Sequence, residues 1–304
     1  MLRAMYAALA AIVSVLVCWR AGVCAAQPTA DEPPKFAGDP LMRAPQTESW
    51  EVGSSLDLER RTTARSGSDD APAHGSYDRT TLTITASHQL GIGLVELQLP
   101  ISTIRFRDSS TAADVGGLGD ASLHLHRYRH GHRWSSRYFV GLRLPTGATA
   151  AMPVVGEALP TVVQLGAGTF DPEFGACTEL ALGEATALAA CDHGRIAVYA
   201  NGHGFRDGYA FHARLLLTTA FAERRASAHV GLLYETLGAA QLDGDDLPST
   251  GHHELFAEAS LWFVVVRGLS LRSTVELPLY EHVTGMQLAD TVRVMAGVSY
   301  DFAR

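Results

Sequence analysis

The stretch that most constrains this chain runs from Gly268 to Phe302, where apolar and polar side chains alternate with a period of two. Leu269, Leu271, Val275, Leu277 and Leu279 fall on one face, with Ser270, Arg272, Thr274, Glu276 and Tyr280 on the other. After a turn-like Thr284-Gly285-Met286-Gln287 the pattern resumes. Val292, Val294, Ala296, Val298, Tyr300 and Phe302 then oppose Arg293, Met295, Gly297, Ser299 and Asp301. Such alternation belongs to β-strands with one apolar and one polar face. Strands of this length exceed the usual five or six residues of a soluble sheet. They match a transmembrane β-barrel, whose tilted strands cross the bilayer in about 9–11 residues.

The same rhythm predicts twelve strands from Glu48 onward. The first carries Trp50, Val52, Leu56 and Leu58 against Glu51, Asp57 and Glu59. Tyr77–His88, Gly91–Arg105, Asp120–Arg129 and Arg137–Thr146 follow. Phe170–Leu182, Ala187–Asn201, Tyr209–Phe221, Ala226–Leu237 and His253–Val266 lead to the closing pair. Connections alternate in length. Gln89-Leu90, His130 to Arg133, the neighbourhood of Gly183, Glu223 to Arg225 and Arg267-Gly268 are tight. Thr63–Ser76, Arg107–Gly119, Gly147–Thr169, Leu242–Gly251 and Thr284–Asp290 are long, and Gly202–Gly208 is intermediate. Short turns at one rim and long loops at the other are characteristic of outer-membrane barrels, and an even strand number puts both termini on the short-turn, periplasmic side.

A secreted β-sandwich also alternates, with its apolar face inside. Strand length, loop asymmetry and aromatics near strand ends favour the barrel. Those aromatics are Trp50, Tyr77, Tyr138, Phe170, Tyr209, Phe221, Tyr300 and Phe302.

The N-terminus points to export. Arg3 precedes the uncharged apolar run Ala4–Val17, and Val23-Cys24-Ala25 offers a cleavage site. This reads as a signal peptide over residues 1–25, with lipid-modified Cys24 as the weaker alternative. Residues 26–47, rich in Pro, Ala and Asp, read as a disordered periplasmic leader, and 48–304 as the barrel. The whole chain carries 24 basic and 32 acidic residues, a formal charge of −8. Lys35 is the only lysine. An acidic, nearly lysine-free chain argues against nucleic-acid binding, which needs basic patches. Asn201 is the only asparagine, expected to matter little for the fold.

Several segments resemble a known family. Gly117-Leu118-Gly119-Asp120, Gly141-Leu142-Arg143-Leu144-Pro145-Thr146-Gly147 and Thr169-Phe170-Asp171-Pro172-Glu173-Phe174-Gly175 are similar to strand entries of the outer-membrane "MetA-pathway of phenol degradation" transporter-like family. So are Glu276-Leu277-Pro278-Leu279-Tyr280, Thr284-Gly285-Met286-Gln287-Leu288 and Val298-Ser299-Tyr300-Asp301-Phe302. The resemblance spans about Gly117 to Phe302. It implies an outer-membrane channel or transporter for small molecules, hydrophobic or aromatic ones included, with lipid and solute as partners and no catalytic residues.

On the barrel reading the polar faces line the lumen. The lining candidates are Glu96, Gln98, His124, His126, Arg143, His212, Arg214, Glu258, Arg272, Glu276 and Arg293. They can set solute charge and size through the local field, or pair with one another and plug the barrel. A plugged barrel would serve as a structural or surface-interaction protein, with the loops Thr63–Ser76 and Gly147–Thr169 as contacts.

His124 and His126 share a strand face and could begin a metal site, but spacing identifies no third ligand, so no metal is expected. Cys18 and Cys24 leave with the signal. A tight turn at Gly183-Glu184-Ala185 sets Cys177 opposite Cys191 on the lumen side, and the periplasm is oxidising, so a disulfide is expected. A turn spanning Gly183 to His193 would leave two thiols. Cys191-Asp192-His193 lacks the Cys-x-x-Cys-His of haem attachment, and no cofactor is expected. His74-Gly75-Ser76 sits in an expected loop, a poor place for a Ser-His pair, so enzyme activity is not expected. The pairs Leu99-Pro100, Leu144-Pro145 and Leu277-Pro278 each predict a bulge or the end of pairing, because proline cannot donate to the ladder.

Overall fold

The computed structural model describes residues 50–302 except 71–74, 91, 109–111, 150–163, 223–224, 248–249 and 267. The signal peptide, the leader and His74 lie outside the described residues. Twelve antiparallel strands close into one barrel. They are β1 (Trp50–Gly67), β2 (Gly75–Leu90), β3 (Gly93–Asp108), β4 (Ala121–His130), β5 (Trp134–Leu144), β6 (Asp171–Ala181), β7 (Thr186–Arg195), β8 (Ala210–Phe221), β9 (Ala226–Leu237) and β10 (His252–Val266). Leu269–Phe302 supplies the last two as a hairpin, β11 (269–283) and β12 (286–302), turning at Gly285 with φ 76°. Its two arms pair with β10 and β1 respectively and are tied together by Ser270 and Ser299, whose hydroxyls lie 2.7 Å apart.

Closure follows from β12 pairing with β1, with Trp50 opposite Phe302 and Leu58 opposite Val294. A closed ladder has no edge, so backbone groups find partners within the barrel. Along β6 the inward Asp171, Glu173, Cys177 and Glu179 are buried while Pro172, Phe174 and Leu180 are exposed. The outward face is apolar all the way round. Leu56, Leu82, Ile101, Leu123, Val140, Phe174, Leu188, Leu215, Leu232, Phe263, Leu271 and Val298 are each more than a third exposed. Water would penalise such a belt, whereas lipid accepts it.

The belt has an upper limit. Arg60 faces outward at 64% side-chain exposure beside Asp78, 3.5 Å away. Asp78 stands opposite Arg105, and Arg105 opposite Asp114. This row of alternating charge crosses four strands and marks where lipid gives way to water. From Trp50 to Leu58 the outward apolar run on β1 covers nine residues, which at a tilt of about 40° rises roughly 22 Å, close to the height of an outer-membrane apolar band.

Three expected loops are strand instead. β1 runs on to Gly67, β3 runs on to Asp108 opposite the segment Ala112–Leu118, and Thr284–Asp290 is a tight hairpin within Leu269–Phe302. Above the charge row the outward face meets water instead of lipid, so apolar alternation disappears while the hydrogen bonds continue. β7 is shorter than expected and ends at Arg195; beyond it the Tyr199 hydroxyl accepts the Phe170 amide at 2.9 Å.

Each Leu-Pro pair falls at an irregularity or an end. Pro100 lies between the two pairings of β3 with β4 and its extension, its carbonyl accepting the Gly119 amide. Pro145 follows the last residue of β5, and Pro278 sits at the register shift opposite Phe256.

Two further expectations need correction. Tyr77, expected among the rim aromatics, is 6% exposed and points inward. Its position on β2 has inward parity, and it packs with Ile104 and Ala113 while Arg61 lies 5.7 Å from its ring centre. The other seven rim aromatics are exposed. Asn201 does matter to the fold. Its Nδ2 donates to the Ala167 carbonyl at 2.8 Å, and its Oδ1 accepts the amides of His203 and Phe205. It thereby ties the segment before β6 to the segment after β7.

Candidate functional site

The site is the inward face, which carries charge on nearly every strand. Because inward side chains converge, strands that share no hydrogen bonds touch there. Three of the resulting clusters hold the candidates.

The first lies at the long-loop end. Arg143, at the end of β5, binds Asp171 of β6 and reaches Asp207 at 3.2 Å. Arg195, at the end of β7, binds the same Asp207 at 2.7 Å. Asp120 accepts the Gly147 and Ala167 amides at 3.0 and 2.7 Å, holding the loop after β5 to the rim. Burial alone would raise the Asp207 carboxyl, but the guanidiniums of Arg195 and Arg143 outweigh it and hold that carboxyl below its usual range.

The second spans β8 to β12. Arg293 donates to Glu235 at 2.6 Å and to Glu254 at 3.0 Å. Its guanidinium carbon also lies 4.3 Å from the Phe256 ring centre. Arg214 lies 3.3 Å from Glu258 and 3.4 Å from Glu276, and Arg272 lies 3.9 Å from Glu258. Glu254, Glu258 and Glu276 are at most 3% exposed. Carboxylates withdrawn this far from water require cationic partners, because an unpaired buried charge is costly. His212 joins the cluster at its edge, Nδ1 being 2.9 Å from Glu235.

The third belongs to β3, β4 and β6. Glu96 of β3 stands opposite His124 of β4, and His126 follows two residues on along the same face. His124 Nε2 lies 2.7 Å from Glu173 Oε2 on β6, and Gln98 donates to Glu96 at 2.7 Å. Phe139 packs on the rings of His124, His126 and His193, with centroids 4.8, 5.3 and 5.3 Å away. Gly141 and Gly175 make room for these rings, since a Cβ at either would collide with His124 or Phe139 respectively.

All eleven lining candidates therefore carry inward parity, distributed among separate clusters. Arg143 stands at the rim, and Glu96, Gln98, His124 and His126 form one group. His212, Arg214, Glu258, Arg272, Glu276 and Arg293 form another. Asp171, Glu173, His193, Arg195, Glu235 and Glu254 join these clusters without having been among the sequence candidates. Parity could have found them: Asp171 and Glu173 alternate with Pro172 and Phe174, and Glu235 follows the outward Leu232 and Tyr234 by odd steps. The Cys177–Cys191 disulfide is present between directly opposed residues of β6 and β7, on the inward side. His252 and His253 face opposite ways, the first beside Glu254 and the second stacked on Tyr234.

No protein-family model matches the chain. No curated protein matches it either. Solved structures do. An outer-membrane channel from Pseudomonas putida F1 is similar with a TM-score of 0.69 at 15% identity, over 87% of this chain and 99% of that one. The translocator domain of the autotransporter NalP from Neisseria meningitidis gives 0.48 at 11% identity, covering 86% and 90%. The β-domain of the Bordetella autotransporter BrkA gives 0.48 at 10%, covering 83% and 99%. The first likeness shows the fold: this chain has the twelve-stranded architecture of an outer-membrane channel.

Proposed function

We propose that the chain is a bacterial outer-membrane channel for small molecules, of the kind its motifs resemble, and that its lumen favours cations and polar solutes. One observation carries this reading: among the described residues, a closed barrel with an apolar exterior holds more inward carboxylates than inward arginines. Glu51, Asp57, Glu59, Glu96, Asp171, Glu173, Glu179, Glu235, Glu254, Glu258, Glu276, Glu281 and Asp301 have inward parity, against Arg61, Arg79, Arg137, Arg143, Arg195, Arg214, Arg272 and Arg293. Fixed negative charge in a narrow lumen concentrates cations and repels anions. Aromatic solutes, which the motif resemblance implies, have Phe139 and its neighbouring histidine rings as a surface to stack on.

The test is planar-bilayer recording of the full mature chain under a KCl gradient. Discrete conductance steps with a reversal potential on the cation side are expected. Anion selectivity would overturn the reading of the lumen.

A second reading is favoured by the β8–β12 cluster, in which three arginines and four glutamates occupy one side of the interior. Side chains packed this way can close a barrel of this size. On that reading the protein is a structural or surface-interaction barrel, and the bilayer experiment yields no steps.

A further inference from the structure

We propose that Glu96, His124 and His126 form a binding site for one divalent first-row transition-metal ion, such as zinc, on the inward wall of the barrel. Glu96 Oε1 lies 3.5 Å from His124 Nδ1 and 3.7 Å from His126 Nε2. All three groups offer an atom within 4.8 Å of one another. An ion bound at about 2.0–2.2 Å by tetrahedral nitrogen and oxygen ligands keeps those ligands roughly 3.4 Å apart. Both separations from Glu96 are therefore close to ligating dimensions, and binding would draw the two imidazoles together from within 4.8 Å.

Two independent features point to a ligand rather than to a hydrogen-bonded cluster. His126 is 3% exposed, yet neither of its ring nitrogens has a hydrogen-bond partner. A buried imidazole left without a partner is costly, and coordination through Nε2 removes that cost. His124 is oriented from behind. Its Nε2 lies 2.7 Å from Glu173 Oε2 on another strand, so a proton on Nε2 leaves the Nδ1 lone pair aimed at Glu96 and His126. A carboxylate behind a ligating histidine is the arrangement that fixes its tautomer and raises its basicity.

The barrel wall builds the arrangement. Glu96 and His124 are direct cross-strand partners, and His126 follows on the same face. Gly141, opposite His124 on β5, leaves the space its ring occupies. Arg137, opposite Tyr128, is the nearby opposing charge. Glu96 and Glu173 provide two carboxylates against it. Two histidines and one carboxylate leave a coordination position for water or solute, and imidazole with carboxylate suits zinc, cobalt and nickel.

The test uses the full mature chain folded in detergent, stripped with chelator and titrated with Co2+ while its visible d–d absorption is recorded. One saturable site per barrel is expected, with Zn2+ displacing the Co2+. His126→Gln and Glu96→Gln should each abolish the absorption at concentrations that saturate the wild type. Glu173→Gln, which meets His124 at Nε2 and supplies no ligand atom itself, should keep the spectrum and weaken affinity about tenfold or more. The double variant His130→Ala/His132→Ala, at the end of β4 and in the turn after it, should bind as the wild type does. Near-UV circular dichroism confirms that each variant is folded. Absence of saturable binding in the wild type overturns the proposal. So does binding that survives in folded His126→Gln, or that is lost in the turn variant.

Discussion

At the residue scale, the rim cluster makes the sharpest claim. Asp207 accepts from Arg195 and Arg143, and its amide neighbour Gly208 donates back to it at 3.0 Å. Its folded carboxyl titrates below the ordinary 3.8. Its contribution is therefore complete above about pH 3.8 and is lost as the pH falls through the lower folded value. Asp207→Asn removes that contribution at neutral pH, at a cost of about 2 kcal/mol, since hydrogen bonds to charged groups are worth 1.5–3. Amide exchange in 196–209 should be faster in the variant at pH 7, with the difference shrinking only below pH 3.8. Equal exchange at pH 7 would show that the clamp contributes nothing. Neither Asp207 nor Asn201 announces its role in the sequence, because Asp207 meets arginines at the ends of two strands and Asn201 reaches Ala167 in another loop. Tyr77 misled for a related reason: an aromatic near a strand end looks like a rim residue until its parity is counted from its neighbours.

At the scale of elements, the hairpin β6–β7 was legible down to its register. A tight turn after Ala181 makes paired positions sum to a constant, and Cys177 meets Cys191 on that count. The disulfide closes a loop with a sequence separation of 14, for which restriction of the unfolded chain gives about 3 kcal/mol. Cys177→Ser should lower the urea midpoint of the folded barrel, as should reduction of the wild type, and reduction should leave the variant unchanged. A midpoint indifferent to reduction would mean that the β6–β7 ladder already holds this segment in the denatured ensemble. The extensions of β1, β3 and the last hairpin were not legible. Their hydrogen bonds persist where the outward face is wet and charged, and the period-two contrast needs an apolar outward face to be visible.

For the whole molecule, the decisive contrast is between the two faces of one closed sheet. Leu215 is 49% exposed near the middle of β8, flanked by Leu217 and Leu232. Leu215→Arg should destabilise the barrel in phospholipid vesicles by about 2–4 kcal/mol, as an outward arginine does near the bilayer midplane. The readout is the folding equilibrium in denaturant. If the substitution costs nothing there, Leu215 does not face hydrocarbon and the membrane reading of the exterior fails. Selectivity is likewise a property of the whole lumen, since its field sums contributions from all twelve strands.

Alternation along each strand by itself determined that this chain forms long β-strands, which side of each faces lipid, and that the sheet closes on itself. Those are local consequences of a two-residue repeat and of the need to leave no edge unpaired. Only the closed barrel decided which inward groups meet. His124 finds Glu173 across 49 residues and Arg293 finds Glu235 across 58. Contacts between strands that share no ladder depend on barrel curvature and side-chain reach, which no spacing in the chain encodes.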